Sequence, residues 1–308
     1  MMILMNILQW KFLHPRFWPS WLGLLLMRIT VFLPVKIQLL LGNVLGALMG
    51  TFMRRRVNIA ERNLALCFPE LSKEQRAVLL KKNMEAMGML LIETALSWWS
   101  SDKKLLKRVR YVGLEHLEQA LNRGKGVIVV TGHYTSMEIG GRLLGLKNPG
   151  YVFFRPMKNL LLNEVMMAAR KRNSEGVILR DDPRAMLRLL RQGKAVWYAP
   201  DQDFGQKLSI FATFFGVQAA TIPSTGKMAK MSGAAIVPFV PKRELDGSYT
   251  LTCSPALTDY PQGDDIKDAQ RINDVIEAEV RKMPEQYFWI HRRFKTQPEG
   301  KKGQLYNS

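Results

Sequence analysis

His133 and Glu138 are the residues of this chain whose types and spacing suit acid–base chemistry. They follow an apolar run, Val127 to Val130, that is typical of a buried strand, and they lie in a segment typical of a turn and a helix start. With the histidine in the turn, a carboxylate about one helical turn further on can fold back to the imidazole. That carboxylate would fix the tautomer and leave the second ring nitrogen as a general base. The spacing alone is a weak signal, because a single histidine after a strand is more often structural.

Polar side chains also follow the next two apolar runs. Arg155 comes after residues 150–154, Asp201 comes after residues 195–199, and Arg170 lies between them in a cationic cluster at the end of a helical pattern. The cluster by itself is more typical of a solvated helix face. Taken jointly, these positions predict a polar pocket at strand ends. Ser136 lacks the Gly-x-Ser-x-Gly pattern of a serine hydrolase, which argues against that class.

The elements that must position these residues are strands alternating with helices. Four apolar runs of strand character are separated by helical patterns over roughly 170 residues, which predicts an α/β fold with a mixed or mostly parallel central sheet flanked by helices. The chain has 308 residues, of which 47% are hydrophobic, so it can bury a full core. A Ser72 N-cap predicts a helix reaching about Trp98 and Trp99, and residues 268–283 predict another helix.

The N-terminal residues 1–56 predict a hydrophobic, helical membrane-anchoring region. Between Phe17 and Met53 only Arg28 and Lys36 carry a charge. The uncharged run of residues 37–53 would reach about 26 Å as a helix, just short of the ~30 Å hydrocarbon core, so spanning the bilayer and lying on it both stay open. A buried helix pair of a soluble protein is the alternative. Residues 54–56 are all arginine, a flank that places the rest of the chain on the cytoplasmic side.

The remaining sequence predicts a domain over residues 57–295 and a polar tail over residues 296–308. The formal charge is +19, from 45 Lys+Arg against 26 Asp+Glu. Anionic membrane lipids, phosphorylated substrates and acidic proteins suit such a charge, whereas the absence of any helix, zinc or RNP-type signature excludes a nucleic acid partner. The two cysteines and four histidines lack metal-ligand spacing, so we expect no metal or cofactor and a reducing compartment.

Several longer motifs carry a family resemblance that covers nearly the whole chain. Together with His133-x4-Glu138 they resemble the late acyltransferases of lipid A biosynthesis, of the lauroyl or palmitoleoyl type, within the lysophospholipid acyltransferase-like superfamily. The motifs are residues 13–18 (LHPRFW), 63–69 (NLALCFP), 151–156 (YVFFRP), 197–205 (WYAPDQDFG) and 284–296 (PEQYFWIHRRFKT).

The resemblance implies an enzyme of the bacterial inner membrane whose acyltransferase domain faces the cytoplasm. It would move a fatty acyl chain, laurate or similar, from acyl carrier protein to a hydroxyacyl chain of a Kdo-bearing lipid A precursor, without a cofactor. The family's catalytic pair falls on His133 as general base and Glu138 as its orienting carboxylate. Arg170 and Asp201 fall among the supporting residues, with Asp201 orienting the arginines, and Arg155 falls at a substrate-binding strand end.

Two alternatives stay open from the sequence. A lysophospholipid acyltransferase would use the same His–Glu chemistry but would accept a glycerol phosphate. A non-catalytic basic protein that binds anionic lipid would explain the charge without any chemistry at His133. In that case a His133→Ala change would leave function unaltered, whereas charge reversal at residues 54–56 would remove it.

Overall fold

The computed structural model describes residues 10–180, 182–298 and 304–306. Part of the predicted anchoring region (residues 1–9) and part of the predicted tail (residues 299–303 and 307–308) lie outside the described residues. Within the described residues, five α-helices precede the sheet: α1 (Trp18–Thr30), α2 (Val35–Phe52), α3 (Arg54–Cys67), α4 (Lys73–Trp99) and α5 (Asp102–Leu106).

The central sheet has seven strands in the order β1-β9-β8-β2-β5-β3-β4. Its strands are β1 (Val109–Val112), β2 (Val127–Val130), β3 (Tyr151–Phe154), β4 (Gly176–Leu179), β5 (Ala195–Tyr198), β8 (Ala235–Arg243) and β9 (Tyr249–Cys253). Neighbouring strands run parallel except at the antiparallel β8–β9 pair. A separate antiparallel hairpin consists of β6 (Ile210–Phe214) and β7 (Val217–Thr221).

Helices cover the sheet, so the predicted α/β class with a mostly parallel sheet is confirmed. These helices are α6 (Leu114–Asn122), α7 (Met137–Gly145), α8 (Leu160–Asn173), α9 (Pro183–Arg191), α10 (Ser224–Ser232) and α11 (Asp265–Lys282). The central strand β2 is buried at every position, as its unbroken apolar sequence requires. Because β2, β5 and β3 are parallel neighbours, the residues that follow them meet at one edge of the sheet.

The long helix α4 runs through the core and begins where the sequence predicts. The Ser72 hydroxyl accepts a hydrogen bond from the Gln75 backbone N–H, and the Gln75 side chain accepts one from the Ser72 N–H. This capping box satisfies amide donors that the first helical turn cannot pair internally. The helix continues to Trp99, and the second predicted helix is present as α11, so both predictions are confirmed.

Two buried asparagines tie the C-terminal segment to the leading helices. Asn63 of α3 donates to the carbonyl oxygens of Trp289 and His291, and Asn83 of α4 donates to those of Glu285 and Tyr287. An amide donating to two carbonyls satisfies backbone groups that would be costly to bury unpaired. The segment that follows α11 is thereby held against the edge of the sheet where β2 ends.

The described part of the predicted tail also packs on the domain. Thr296 is buried, and its backbone N–H donates to the Asp203 carboxylate. The Tyr306 hydroxyl donates to the Asn63 side chain. The boundaries at residues 56 and 296 stay predictions, since helix α3 begins at Arg54 and chain contacts continue past residue 296.

Candidate active site

His133 lies in the turn between β2 and α7, as the sequence predicts. The C-terminal segment holds this turn through backbone pairing, because Tyr134 and Tyr287 form an antiparallel bridge. The Phe288 N–H donates to the His133 carbonyl at 2.9 Å, and the Thr135 N–H donates to the Gln286 carbonyl at 2.8 Å. The histidine is thus fixed by residues more than 150 positions away in the sequence.

The imidazole of His133 pairs with Asp201, which follows β5. Its Nδ1 lies 2.5 Å from Asp201 Oδ1, while the His133 backbone N–H donates to Asp201 Oδ2 at 2.8 Å. The Tyr287 hydroxyl donates to the same Oδ2 at 2.8 Å. Asp201 is only 2% exposed, whereas 23% of the His133 side chain remains accessible. A buried carboxylate that holds one ring nitrogen of a partly exposed imidazole is the arrangement of an oriented general base.

The charges around Asp201 favour its ionised form. Burial alone would raise the pKa of this carboxyl, but the neighbouring His133 and the hydrogen bonds from His133 and Tyr287 lower it below its ordinary value. Burial raises the pKa of the Tyr287 hydroxyl far above its usual range, and the nearby Asp201 carboxylate adds to that effect. Tyr287 therefore stays a neutral donor and Asp201 a charged acceptor.

Glu138 lies in the first turn of α7, but it pairs with Arg170 of α8 and not with His133. Its Oε2 lies 2.5 Å from Arg170 Nη2, and its Oε1 accepts from Arg170 Nε at 3.2 Å and from the Trp98 indole at 3.1 Å. Both side chains are 16% exposed. Burial opposes ionisation of Glu138, yet the Arg170 guanidinium lowers its pKa below the ordinary value, and Glu138 in turn raises the pKa of Arg170.

The structure therefore differs from two sequence-based expectations: Glu138 does not contact the imidazole, and Asp201 orients His133 and not the arginines. The reason is tertiary packing, because Glu138 in the first turn of α7 meets α8, where the buried Arg170 needs a counter-charge. Asp201 reaches His133 because β5 lies beside β2 in the sheet.

A cleft of about 170 Å³ opens beside His133 at the carboxyl ends of β2, β3 and β5. His133, Arg155 and Arg170 all line it, so the structure brings three of the predicted residues to one cavity. Arg155 is exposed within it, whereas Arg170 is paired with Glu138. Arg180 joins them and stacks on the Phe204 ring, with 5.2 Å from guanidinium carbon to ring centroid. The cleft is thus cationic and suits an anionic ligand.

A second, mostly apolar cavity of about 50 Å³ adjoins the cleft. Three residues line both spaces, namely Val152, Arg170 and Trp197. Glu138 is at its polar end, and small residues such as Gly141 and Ala169 contribute to its walls. The buried indole N–H of Trp197 has no hydrogen-bond partner among the described residues, so the junction holds one unused donor. Apolar cavities with a few polar groups at their walls are typical of sites for small ligands.

Three functional positions escape sequence reasoning. Tyr287 and Trp98 complete the two carboxylate networks, yet nothing in their local spacing distinguishes them from core aromatics. His291 accepts from the Asp203 N–H at 3.2 Å beside the same site, and burial lowers its pKa to about 4, with His133 adding to the effect. Among the described residues, no group of three or more His, Cys, Asp or Glu side chains is placed to hold a metal ion.

Comparison with known proteins agrees with this architecture. The family model described as bacterial lipid A biosynthesis acyltransferase matches residues 5–296. The lipid A biosynthesis lauroyltransferase of Escherichia coli K12 is 40% identical, over 94% of this chain and 95% of the relative. The palmitoleoyltransferase of the same organism is 41% identical over the same shares, and its myristoyltransferase is 32% identical over 94% and 91%. The chain therefore belongs to the bacterial lipid A biosynthesis acyltransferase family, and its activity is that of an acyltransferase.

Proposed function

We propose that this acyltransferase moves a fatty acyl chain, laurate or similar, from an acyl carrier protein thioester to a hydroxyacyl chain of a Kdo-bearing lipid A precursor. The observation that carries the proposal is the junction of the two cavities. A histidine–carboxylate pair lines the cationic cleft, and the cleft opens onto an apolar cavity at Val152, Arg170 and Trp197. The names of the relatives, lauroyltransferase and palmitoleoyltransferase, support the choice of chain.

In the proposed reaction, His133 is the general base. A secondary hydroxyl is a poor nucleophile, and its proton passes to the imidazole Nε2 as the oxygen attacks the thioester carbonyl. The Asp201 carboxylate at Nδ1 stabilises the imidazolium that forms. The carbon–sulfur bond then breaks, the proton goes to the departing thiolate, and the new ester remains on the acceptor. No acyl-enzyme is required.

The Glu138–Arg170 pair has a different role in this proposal. Arg170 lines both cavities, so its guanidinium lies where the thioester would bridge them. Glu138 orients Arg170 and is a positioning residue for it. Arg170, Arg155 and the unused Trp197 indole N–H are the candidate donors to the tetrahedral oxyanion. Glu138 thus acts through Arg170 and leaves the orientation of His133 to Asp201.

The apolar cavity is the proposed site of the donor acyl chain. Its walls come mainly from apolar and small residues of the sheet, α7 and α8. Each buried methylene contributes about 0.8 kcal/mol, so the depth of such a cavity sets the preferred chain length. The cationic cleft would hold the phosphates and sugar carboxylates of the acceptor, and the acidic carrier protein would dock on the positive surface. The enzyme would work at the cytoplasmic face of the bacterial inner membrane.

The test incubates membranes containing the wild type or His133→Ala with acyl carrier protein thioesters of several chain lengths and a Kdo-bearing tetraacyl lipid A precursor. Products are read by mass. We expect the wild type alone to add one acyl unit to the precursor. Lysophosphatidic acid, added as a competing acceptor, tests whether the enzyme accepts a glycerol phosphate instead. Acyl-coenzyme A, added as a competing donor, tests whether acyl carrier protein is the preferred donor. An active His133→Ala protein would refute the proposed base.

A further inference from the structure

Helices α1 and α2 each present an apolar stripe to the outside of the molecule. The stripe on α2 recurs at helical spacing, and that on α1 continues into the short link between the helices. The exposed side chains are Trp18, Leu22, Leu25, Leu26, Ile29 and Phe32 on the first stripe, and Ile37, Leu40, Val44, Leu48 and Phe52 on the second. An exposed apolar surface of this size needs a partner.

Exposed cations surround this apolar face. Arg16 precedes α1, Arg28 and Lys36 flank the link between the helices, and residues 54–56 follow α2. Cations lie at both ends of α2, with Lys36 at its start and Arg54 just after it. A helix lying in the headgroup plane of an anionic leaflet places every one of these cations beside phosphates. A helix crossing the bilayer would carry one of the two ends to the far side, against the positive-inside tendency.

Within the described parts of the chain, α2 is the helix long and apolar enough to cross a membrane. Its inner face, however, is in backbone contact with α4. A Cβ built on Gly46 would lie 2.3 Å from the Met84 carbonyl oxygen, and one built on Gly88 would lie 2.0 Å from the Gly42 carbonyl oxygen. Such close approach over about one helical turn fixes α2 along α4.

Helix α4 belongs to the catalytic domain and cannot follow α2 into hydrocarbon. Its buried Glu93 pairs with Arg243 of the sheet at 3.1 Å. Its Ser97 hydroxyl donates to the Glu138 carbonyl, next to the candidate active site. Its sequence also carries the exposed Lys81 and Lys82. Burying these charges in a bilayer would cost several kcal/mol for each.

The chain on both sides of α2 also packs on the same domain. Before it, Phe12, Phe17 and Leu24 are buried against Phe154 of β3 and Leu161 of α8. After it, α3 buries its own apolar side chains, Ala60, Leu64 and Cys67, in the core beneath the sheet. A single crossing would put these two flanks on opposite sides of the membrane. The packing therefore excludes a single span by α2.

We infer that α1 and α2 both insert into one leaflet of an anionic phospholipid bilayer, parallel to its plane, without crossing it. The exposed Met157 and Leu160 follow the cleft residue Arg155, with Leu160 at the start of α8, and the Asn159 side chain donates to Ser20 of α1 at 2.7 Å. The apolar face thus continues to the cleft. A lipid acceptor could therefore enter the cleft sideways from the same leaflet. That consequence rests on the proposed function, whereas the insertion of α1 and α2 does not.

Cysteine labelling distinguishes insertion from crossing. Lys36→Cys, Arg55→Cys and the domain control Leu245→Cys are treated separately with a membrane-impermeant maleimide in sealed, inverted inner-membrane vesicles. The wild type is the blank, because Cys67 and Cys253 are buried. We expect all three variants to react to the same extent before detergent is added. If Lys36→Cys or Arg55→Cys reacts only after detergent, α2 crosses and the inference is wrong.

Depth-dependent quenching tests the insertion without any activity assay. A fluorophore on Val44→Cys is reconstituted in vesicles of phosphatidylethanolamine and phosphatidylglycerol that contain nitroxide lipids, with a Leu245→Cys label as control. We expect a shallow nitroxide to quench Val44→Cys at least twice as strongly as one at the bilayer centre, because an in-plane helix lies about 5–10 Å deep. Stronger quenching by the deep nitroxide, or none by either, would overturn the inference. Neither result depends on the substrates proposed above.

Discussion

Replacing Asp201 by asparagine should remove nearly all turnover while leaving the protein folded. Asp201 accepts three hydrogen bonds, two from His133 and one from Tyr287, and it is almost fully buried. An amide has only one oxygen to accept with, so its NH₂ group must face either the imidazole or the two donors at Oδ2. In both cases His133 loses the tautomer or the position that the base requires.

The loss can be scaled from comparable networks. The same substitution in hydrolase triads lowers kcat by about 10⁴, because the imidazole is held in the wrong tautomer. A factor of that size corresponds to about 5 kcal/mol of transition-state stabilisation. We expect kcat to fall by about 10³–10⁴ with little change in KM for either substrate, since Asp201 stabilises a charge that forms only in the transition state.

The assay follows initial rates of acyl transfer by mass spectrometry at saturating donor and acceptor. Asp268→Asn is the matched control, because Asp268 is also a buried carboxylate but lies on α11 away from the cleft. Tyr287→Phe removes one hydrogen bond to Asp201 and should cost only about tenfold. An Asp201→Asn enzyme that keeps a tenth of the wild-type kcat would refute the assignment of Asp201 as the partner of His133.

Three further predictions follow from the same site. Glu138→Gln should lower the free energy of unfolding by about 3 kcal/mol and abolish turnover, because it leaves the buried Arg170 without a counter-charge. Adding Arg170→Met should restore most of the stability but none of the activity. Chemical denaturation measures the stability, and rate assays measure the activity. Val152→Phe should narrow the junction of the cavities and lower kcat/KM roughly fourfold for each methylene excluded from a long donor chain. The control Leu179→Phe, on the exposed end of β4, should not change the preferred length of the donor chain. In the folded protein the pKa of His291 is about 4, below its ordinary value of 6.5, so folding favours the neutral imidazole. The contribution of His291 to the free energy of unfolding is therefore full above pH 6.5 and is lost as pH falls toward 4. Denaturation curves should show a loss of about 3 kcal/mol over that range, and a smaller loss in His291→Gln.

Much of the fold follows from local sequence patterns. The unbroken apolar run of β2 and its parallel neighbours predicts buried strands, and the Ser72 cap predicts the start of α4. Each of these signals depends on burial of a strand or on hydrogen bonds within one helical turn, so it is legible in a short stretch of sequence. For the same reason His133 is identifiable in a turn after a strand.

The partner of His133 is decided only by the tertiary structure. Asp201 lies 68 residues further along the chain, and it reaches the imidazole because β5 pairs with β2. Glu138, only five residues away, pairs instead with Arg170 of α8. Proximity in sequence is therefore a poor guide to which carboxylate meets an imidazole, since sheet order and side-chain direction are set by long-range packing.

The placement of the N-terminal helices likewise depends partly on the sequence and partly on the tertiary structure. The sequence by itself determines that α2 is apolar and flanked by cations, because those are properties of its composition. Whether that helix crosses a membrane depends on what its other face contacts, and only the structure shows Gly46 against the backbone of α4. Hydropathy reflects the free energy of transferring an isolated segment from water into a membrane. Whether α2 can cross the bilayer is decided by the packing of both its flanking segments on one domain.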